Sequence, residues 1–399
     1  MIRRKRAEDA VLKRIKNFPV VAILGARQVG KTTLAKSLKY DHFFDLENPR
    51  DELRLKEPHL ALENLEGLIV IDEIQRKPNL FPLLRFLVDQ KKKQKFLILG
   101  SASRDLIKQS SETLAGRIAY FQLGTFALDE VGNKSLQKLW LYGGFPQSFL
   151  SKTIEESRLW RNNFITSFLE RDIPQLGIHI PANTLRRFWM MISHYHGQVL
   201  NYSELGRSFG ISDMTVRHYL DILVGTFMVR ILQPWHENLS KRQIKSPKIY
   251  IKDSGLFHTL QTIDSKSSLF AHPKLGASWE GFALENVIQI LDIDEEQIFF
   301  WGTHSGAELD LMWQAHGKRY GIEFKYADAP AKTKSMMSAI ENLNLNHIWV
   351  VNPGEANYPI DKKITAIGLN DLNNLTLSFT SPCDMNGLKA STKGSRPPG

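Results

Sequence analysis

A single cysteine, Cys383, among 399 residues leaves the chain no internal disulfide and no cysteine-rich zinc site. Long apolar runs are missing too. Nothing approaches the roughly 18 consecutive apolar residues of a membrane span, and the opening MIRRKRAEDAVLKRIKN lacks the apolar segment of a signal peptide. Redox chemistry, membrane spanning and export are therefore not expected, and the sequence reads as that of a cytoplasmic protein. No internal repeat is visible. Acidic surplus is also absent: the net charge is +10, with basic clusters at Arg3 to Arg6 and Lys91 to Lys95. Such a field attracts polyanions, DNA among them, although short basic runs are as often solvated loop or helix ends.

What is present is enough apolar material, 42% of the chain, to build more than one core. The first stretch alternates short apolar runs, VVAIL at 20–24, GLIVIDE at 67–73 and KFLILG at 95–100, with helical segments. That rhythm predicts an α/β fold with parallel strands and crossover helices over residues 1–135. Long amphipathic segments then predict a helical section over 136–196. Two short helices around Phe209-Gly210-Ile211, followed by a strand at Ile249 to Ile251, predict a winged helix-turn-helix over 197–265. A second α/β domain is expected at 266–380. The polar tail at 381–399 reads as disordered.

Chemistry is written most plainly in Gly25-Ala26-Arg27-Gln28-Val29-Gly30-Lys31-Thr32, which follows an apolar strand and opens a helical stretch. This is the phosphate-binding loop pattern. Glycines let the backbone curl its N–H groups toward phosphates, Lys31 adds a mobile positive charge, and Thr32 offers a hydroxyl to Mg2+. Thr33 continues the expected ATP-binding segment. The strand ending in Asp72-Glu73 places two carboxylates where ligands collect in open α/β sheets. Asp72 is expected to hold the magnesium ion through water, and Glu73 to orient and deprotonate the attacking water. A third strand ends in Ser101 and Ser103, whose hydroxyls are candidates to sense the γ-phosphate. Arg117 is the first candidate for the arginine that neutralises transition-state charge, in its own chain or from a neighbour, with Arg104 second.

The order of P-loop, Asp-Glu strand, Ser strand, Leu114-Ala115-Gly116-Arg117 and Tyr142-Gly143-Gly144-Phe145-Pro146 resembles a family of prokaryotic AAA-type ATPases, over nearly the whole chain. The resemblance implies an ATP-binding module with a helical lid, then a helix-turn-helix segment and a carboxy-terminal domain similar to restriction-endonuclease-like folds. It carries over to Gly25, Gly30, Lys31, Thr32, Asp72, Glu73 and Arg117. A second sensor arginine has no evident counterpart in the helical section.

Within the helix-turn-helix, Leu205, Phe209, Val216, Leu220 and Leu223 are expected in the core, with Ser212, Thr215, Arg217 and His218 facing outward for DNA or for protein. In the last domain Glu280, Asp310, Glu323 and Lys325 form a possible second site. Gly321 to Lys325 alternates so that Glu323 and Lys325 share one strand face, and Gln314 to Lys318 reads as a hairpin returning Asp310 to them. Acids that hold a metal and an amine that positions water are what phosphodiester cleavage needs. The cluster looks like the nuclease superfamily named for its Asp, Glu-x-Lys motif, without the usual proline before the aspartate. The leading expectation is a Mg2+-dependent ATPase acting on a DNA-associated complex, and a homo-oligomer if Arg117 serves a neighbour. An ATP-dependent nuclease and a nucleotide-switched protein adaptor are the alternatives.

Overall fold

The computed structural model describes residues 2–90, 93–100, 110, 112–236, 244–355, 357–372 and 375. Ser101, Ser103, Arg104, Lys91 and Lys92, Cys383 and the 381–399 tail lie outside the described residues.

Five parallel strands build the first sheet: β1 (Val20–Leu24), β2 (His42–Asp45), β3 (Gly67–Asp72), β4 (Gln94–Gly100) and β5 (Ile118–Gln122), in the order β2-β3-β4-β1-β5. Their side chains alternate between two cores, as period-2 geometry requires. Val21, Ile23, Leu97 and Leu99 pack against Ala7, Val11 and Leu34 on one face, and Ala22, Leu24, Ile69 and Ile98 against Leu62, Leu80 and Leu84 on the other. The sheet is thus buried on both sides, which is why its strands read as unbroken apolar runs. β4 lies between β1 and β3, so Gly100 ends between the P-loop and Asp72.

The helical section holds helices Leu136–Tyr142, Pro146–Leu150, Ile154–Ser167 and Ala182–Ser193. The third continues into a π-helical turn, Phe168–Asp172. An aromatic column, Phe145, Phe164, Phe168 and Trp189, runs through it with successive ring separations of 4.7, 6.1 and 5.4 Å.

Next come β6 (Gln198–Val199), helix Tyr202–Phe209, helix Asp213–Gly225, β7 (Val229–Pro234) and β8 (Lys248–Ile251). Gly210 ends the first of these helices in the left-handed conformation, φ 70°, and the Ser212 side chain caps the second by accepting from Thr215 N. Leu205, Val216, Leu220 and Leu223 are buried and Phe209 is half-buried.

The boundary expected at 266 is crossed by one sheet. β9 (Ile298–Gly302), β10 (Glu308–Ala315), β11 (Lys318–Phe324), β12 (His347–Asn352), β13 (Tyr358–Asp361) and β14 (Ile364–Gly368) join the preceding strands in the order β13-β14-β12-β11-β10-β9-β7-β8-β6. The seam is β7 on β9, parallel, with Gln233 opposite Phe299. Helix Leu275–Ile290 and helix Lys334–Leu343 contribute to different cores against this sheet. Among the described residues no helix is long and apolar enough to cross a membrane.

Candidate nucleotide site

The loop after β1 is shaped by its glycines. A Cβ on Gly25 would fall 2.4 Å from the Leu123 carbonyl oxygen, and Gly30, at φ 100°, opens helix Lys31–Ser37 from the left-handed region. Lys31 is buried, and its ammonium donates back to the Gly25 and Ala26 carbonyls at 3.0 and 2.9 Å. Burial pushes it down to about 8, although Glu73 and Asp72 favour the charged form. The Thr32 hydroxyl donates to Asp72 Oδ2 at 2.6 Å, and Glu73 N donates to Oδ1 at 2.9 Å. Burial raises both Asp72 and Glu73, opposed at Asp72 by the Thr32 hydroxyl and at Glu73 by Lys31. Glu73 itself sits in the left-handed region at φ 55°, a costly conformation for a non-glycine residue, and this turns the chain sharply at the end of β3.

Beside Glu73 opens a cleft of about 340 Å³ lined by Arg27, Glu47, Gln75, Arg76, Phe168 and Asp172, among others. Arg27 of the P-loop is hydrogen-bonded to Asp172, where the π-helical turn of the helical section ends, and lies 3.6 Å from Glu47. The Gln75 side chain donates to Glu73 Oε2. Gln75 and Asp172 were not foreseen from the sequence: neither belongs to a spaced motif, and only the fold brings the helical section to the loop. Thr33 is exposed on its helix, as is Gln28 on the loop.

Arg117 is not brought to this site. It pairs with Asp89, Nε to Oδ1 at 2.5 Å, just before the start of β5. The P-loop follows the other end of the neighbouring parallel strand, so the five residues of β5 separate them by roughly 16 Å. Within its own chain Arg117 does not reach the phosphates. The basic cluster near the start is likewise engaged. Arg4 holds Glu130 through two hydrogen bonds of 2.8 Å, and Arg6 holds Asp129 at 2.8 Å.

The four residues of the second cluster do come together. Asp310 and Glu323 face each other across the antiparallel β10–β11 pair, and Asp310 Oδ2 accepts from Phe324 N at 2.9 Å. Lys325 pairs with Glu323 at 2.7 Å. Glu280, from helix Leu275–Ile290, shares with Asp310 a partner the sequence reasoning missed: Lys248, at 3.2 and 3.3 Å respectively. The alternation Lys248-Ile249-Tyr250 in β8 was a usable signal, since it puts Lys248 and Tyr250 on one face.

Residues 17–132 match the family model of an AAA domain. Residues 133–267 and 275–372 match two further models, each described as a domain of unknown function, DUF8612 and DUF4143. An uncharacterised protein of Mycobacterium tuberculosis is 46% identical over 371 residues, covering 92% of this chain and 84% of that protein, and its counterpart in Mycobacterium bovis matches equally. The chain belongs to their family. Among solved structures, the Walker-type ATPase of Pyrococcus abyssi is 16% identical with a TM-score of 0.43, covering 65% of this chain and 96% of that one. AMPPCP-bound DnaA from Aquifex aeolicus is 14% identical with a TM-score of 0.26, covering 53% and 85%.

Proposed function

We propose that this protein is a cytoplasmic Mg2+-dependent ATPase that uses its nucleotide state to act on a DNA-associated complex. The observation that carries the reading is the pairing of Thr32 with Asp72 at 2.6 Å, directly beside Glu73 and the curled P-loop. A hydroxyl and a carboxylate side by side form the hard-oxygen pair suited to a magnesium ion that takes its remaining ligands from phosphates and water. Bound there, the ion would neutralise charge on the β- and γ-phosphates. The loop from Gly25 to Thr33 would wrap those phosphates with its N–H groups. Lys31 would exchange its two carbonyl partners for phosphate oxygens. Glu73 would take the proton of the attacking water, and Gln75 would hold its carboxylate in place. Ser101 is the candidate γ-phosphate sensor, and Arg117 acts only on a neighbouring copy's ATP, in a homo-oligomer.

The middle section reads as a winged helix-turn-helix, supported by the two capped helices beside β6, β7 and β8. Ser212, Arg217 and His218 are exposed on it, while Thr215 is half-buried. Arg217 lies over the Tyr202 ring at 3.8 Å, which preorients its guanidinium. The test is the ATPase rate with and without duplex DNA for the native chain and for Lys31→Ala. Turnover that DNA stimulates and Lys31→Ala abolishes is the expected result. Turnover indifferent to DNA, with no DNA binding at moderate salt, favours the protein adaptor instead. A second reading, ATP-dependent cleavage of nucleic acid in a restriction-endonuclease-like last domain, draws on the convergence of Glu280, Asp310, Glu323 and Lys325, and predicts DNA products lost in Asp310→Ala.

A further inference from the structure

Three carboxylates from two elements converge on one point of the last domain, and that point is taken. Lys248, only 2% exposed, directs its ammonium at Glu280 Oε1 (3.2 Å), Asp310 Oδ1 (3.3 Å) and the Glu308 carboxylate. Tyr250, two residues along the same strand face, donates to the same Glu280 oxygen at 2.6 Å. Three carboxylate oxygens around one centre are the donor set of a hard divalent cation, and here a primary ammonium stands in it. Burial opposes the charge on Lys248, yet Glu280, Asp310 and Glu308 hold its pKa well above the ordinary lysine value.

A second observation concerns Glu323, directly across the strand pair from Asp310. One of its oxygens takes Lys325, but Oε2 is buried with no hydrogen-bond partner, and the side chain is 7% exposed. A buried carboxylate oxygen without a donor is costly, and the Lys248 ammonium, already shared among three acids, does not supply one. As the side chains stand, among the described residues no group of three His, Cys, Asp or Glu side chains is arranged to hold a metal ion, this cluster included.

We propose that Lys248 is an internal cation that fills the divalent-metal position of the Glu280, Glu308 and Asp310 cluster, so that the folded protein excludes Mg2+ or Mn2+ there unless Lys248 is withdrawn. The plug belongs to a different part of the chain from its socket. Lys248 is held in β8, between β7 and β6, with Leu232 and Val199 as its register partners. Any metal-dependent chemistry at these acids would therefore require Lys248 to withdraw first, so access for the metal depends on the middle segment rather than on the carboxylates themselves.

The test is Mn2+ binding, read by electron paramagnetic resonance, to the nucleotide-free full chain carrying Asp72→Asn so that the P-loop acid does not contribute. With Lys248 in place no bound Mn2+ is expected. Lys248→Met should gain one bound Mn2+ per chain, and adding Asp310→Asn should remove it. Lys248→Gln gives the same readout should the methionine variant not fold. The proposal is overturned if the chain with Lys248 intact binds Mn2+ in a manner that Asp310→Asn abolishes, or if a folded Lys248 variant binds none.

Discussion

ATP binding should pull a proton onto Lys31. Burial sets its folded value at about 8 against an ordinary 10.5. For a base whose folded pKa is depressed, the empty protein releases the proton between pH 8 and 10.5 while the unfolded chain still keeps it. Folding is penalised below pH 8, and the penalty lifts as pH rises through that window. A triphosphate reverses the balance by placing negative charge against the ammonium in place of two neutral carbonyls. Simple titration then gives an uptake of about 0.1 proton per site at pH 7, about 0.5 at pH 8 and about 0.9 at pH 9, with affinity about tenfold weaker at pH 9 than at pH 7. Phosphate ionisation is essentially complete by about pH 8, so the upper half of that range reports the protein. The assay is calorimetric titration with a non-hydrolysable ATP analogue and Mg2+ in pairs of buffers of different ionisation enthalpy. Lys31→Arg, which stays charged throughout, should flatten the profile in so far as it still binds. Uptake that stays at zero from pH 8 to pH 9, with undiminished affinity, would refute the reasoning.

Glu73→Gln should lower the hydrolysis rate by about 10²- to 10⁴-fold, the usual contribution of a positioned general base, while equilibrium binding of the nucleotide survives in the same calorimeter. Gly25→Ala must push a Cβ against the Leu123 carbonyl at 2.4 Å, backbone against backbone; urea unfolding should show a loss of about 1–3 kcal/mol, and nucleotide binding should disappear. Arg230 on β7 is buried against Glu285, with Nη2 to Oε2 at 3.0 Å. Arg230→Ala strands that carboxylate, and chemical denaturation should register a cost of about 3–5 kcal/mol.

The first sheet was legible because strands buried on both faces are written as apolar runs, and the P-loop because phosphate binding fixes both residue types and spacing. Two of the five strands were not seen: His42–Asp45 and Ile118–Gln122 carry mixed composition, and pairing with β3 and β1 rather than local pattern makes them strands. The two helices Tyr202–Phe209 and Asp213–Gly225 were readable because Gly210 and Ser212 are terminators with a local mechanism. Arg117 was chosen for its place in a motif order, and the order does not encode at which end of a parallel strand a residue lies. Lys248 went unnoticed as a partner of the carboxylates because 62 positions separate it from Asp310; only β7 meeting β9 brings the two strands into one sheet.

That seam also limits how the chain can be cut and recombined. The two halves that meet there are not interchangeable parts: a fragment ending before Ile298 would leave β7 without the neighbour on its outer side, and a fragment beginning after Pro234 would bare β9 in the same way. Raw strand edges of this kind recruit one another, so either piece expressed alone should precipitate or pair with itself. Shuffling of this last segment onto other front ends would have to carry β7 along with it.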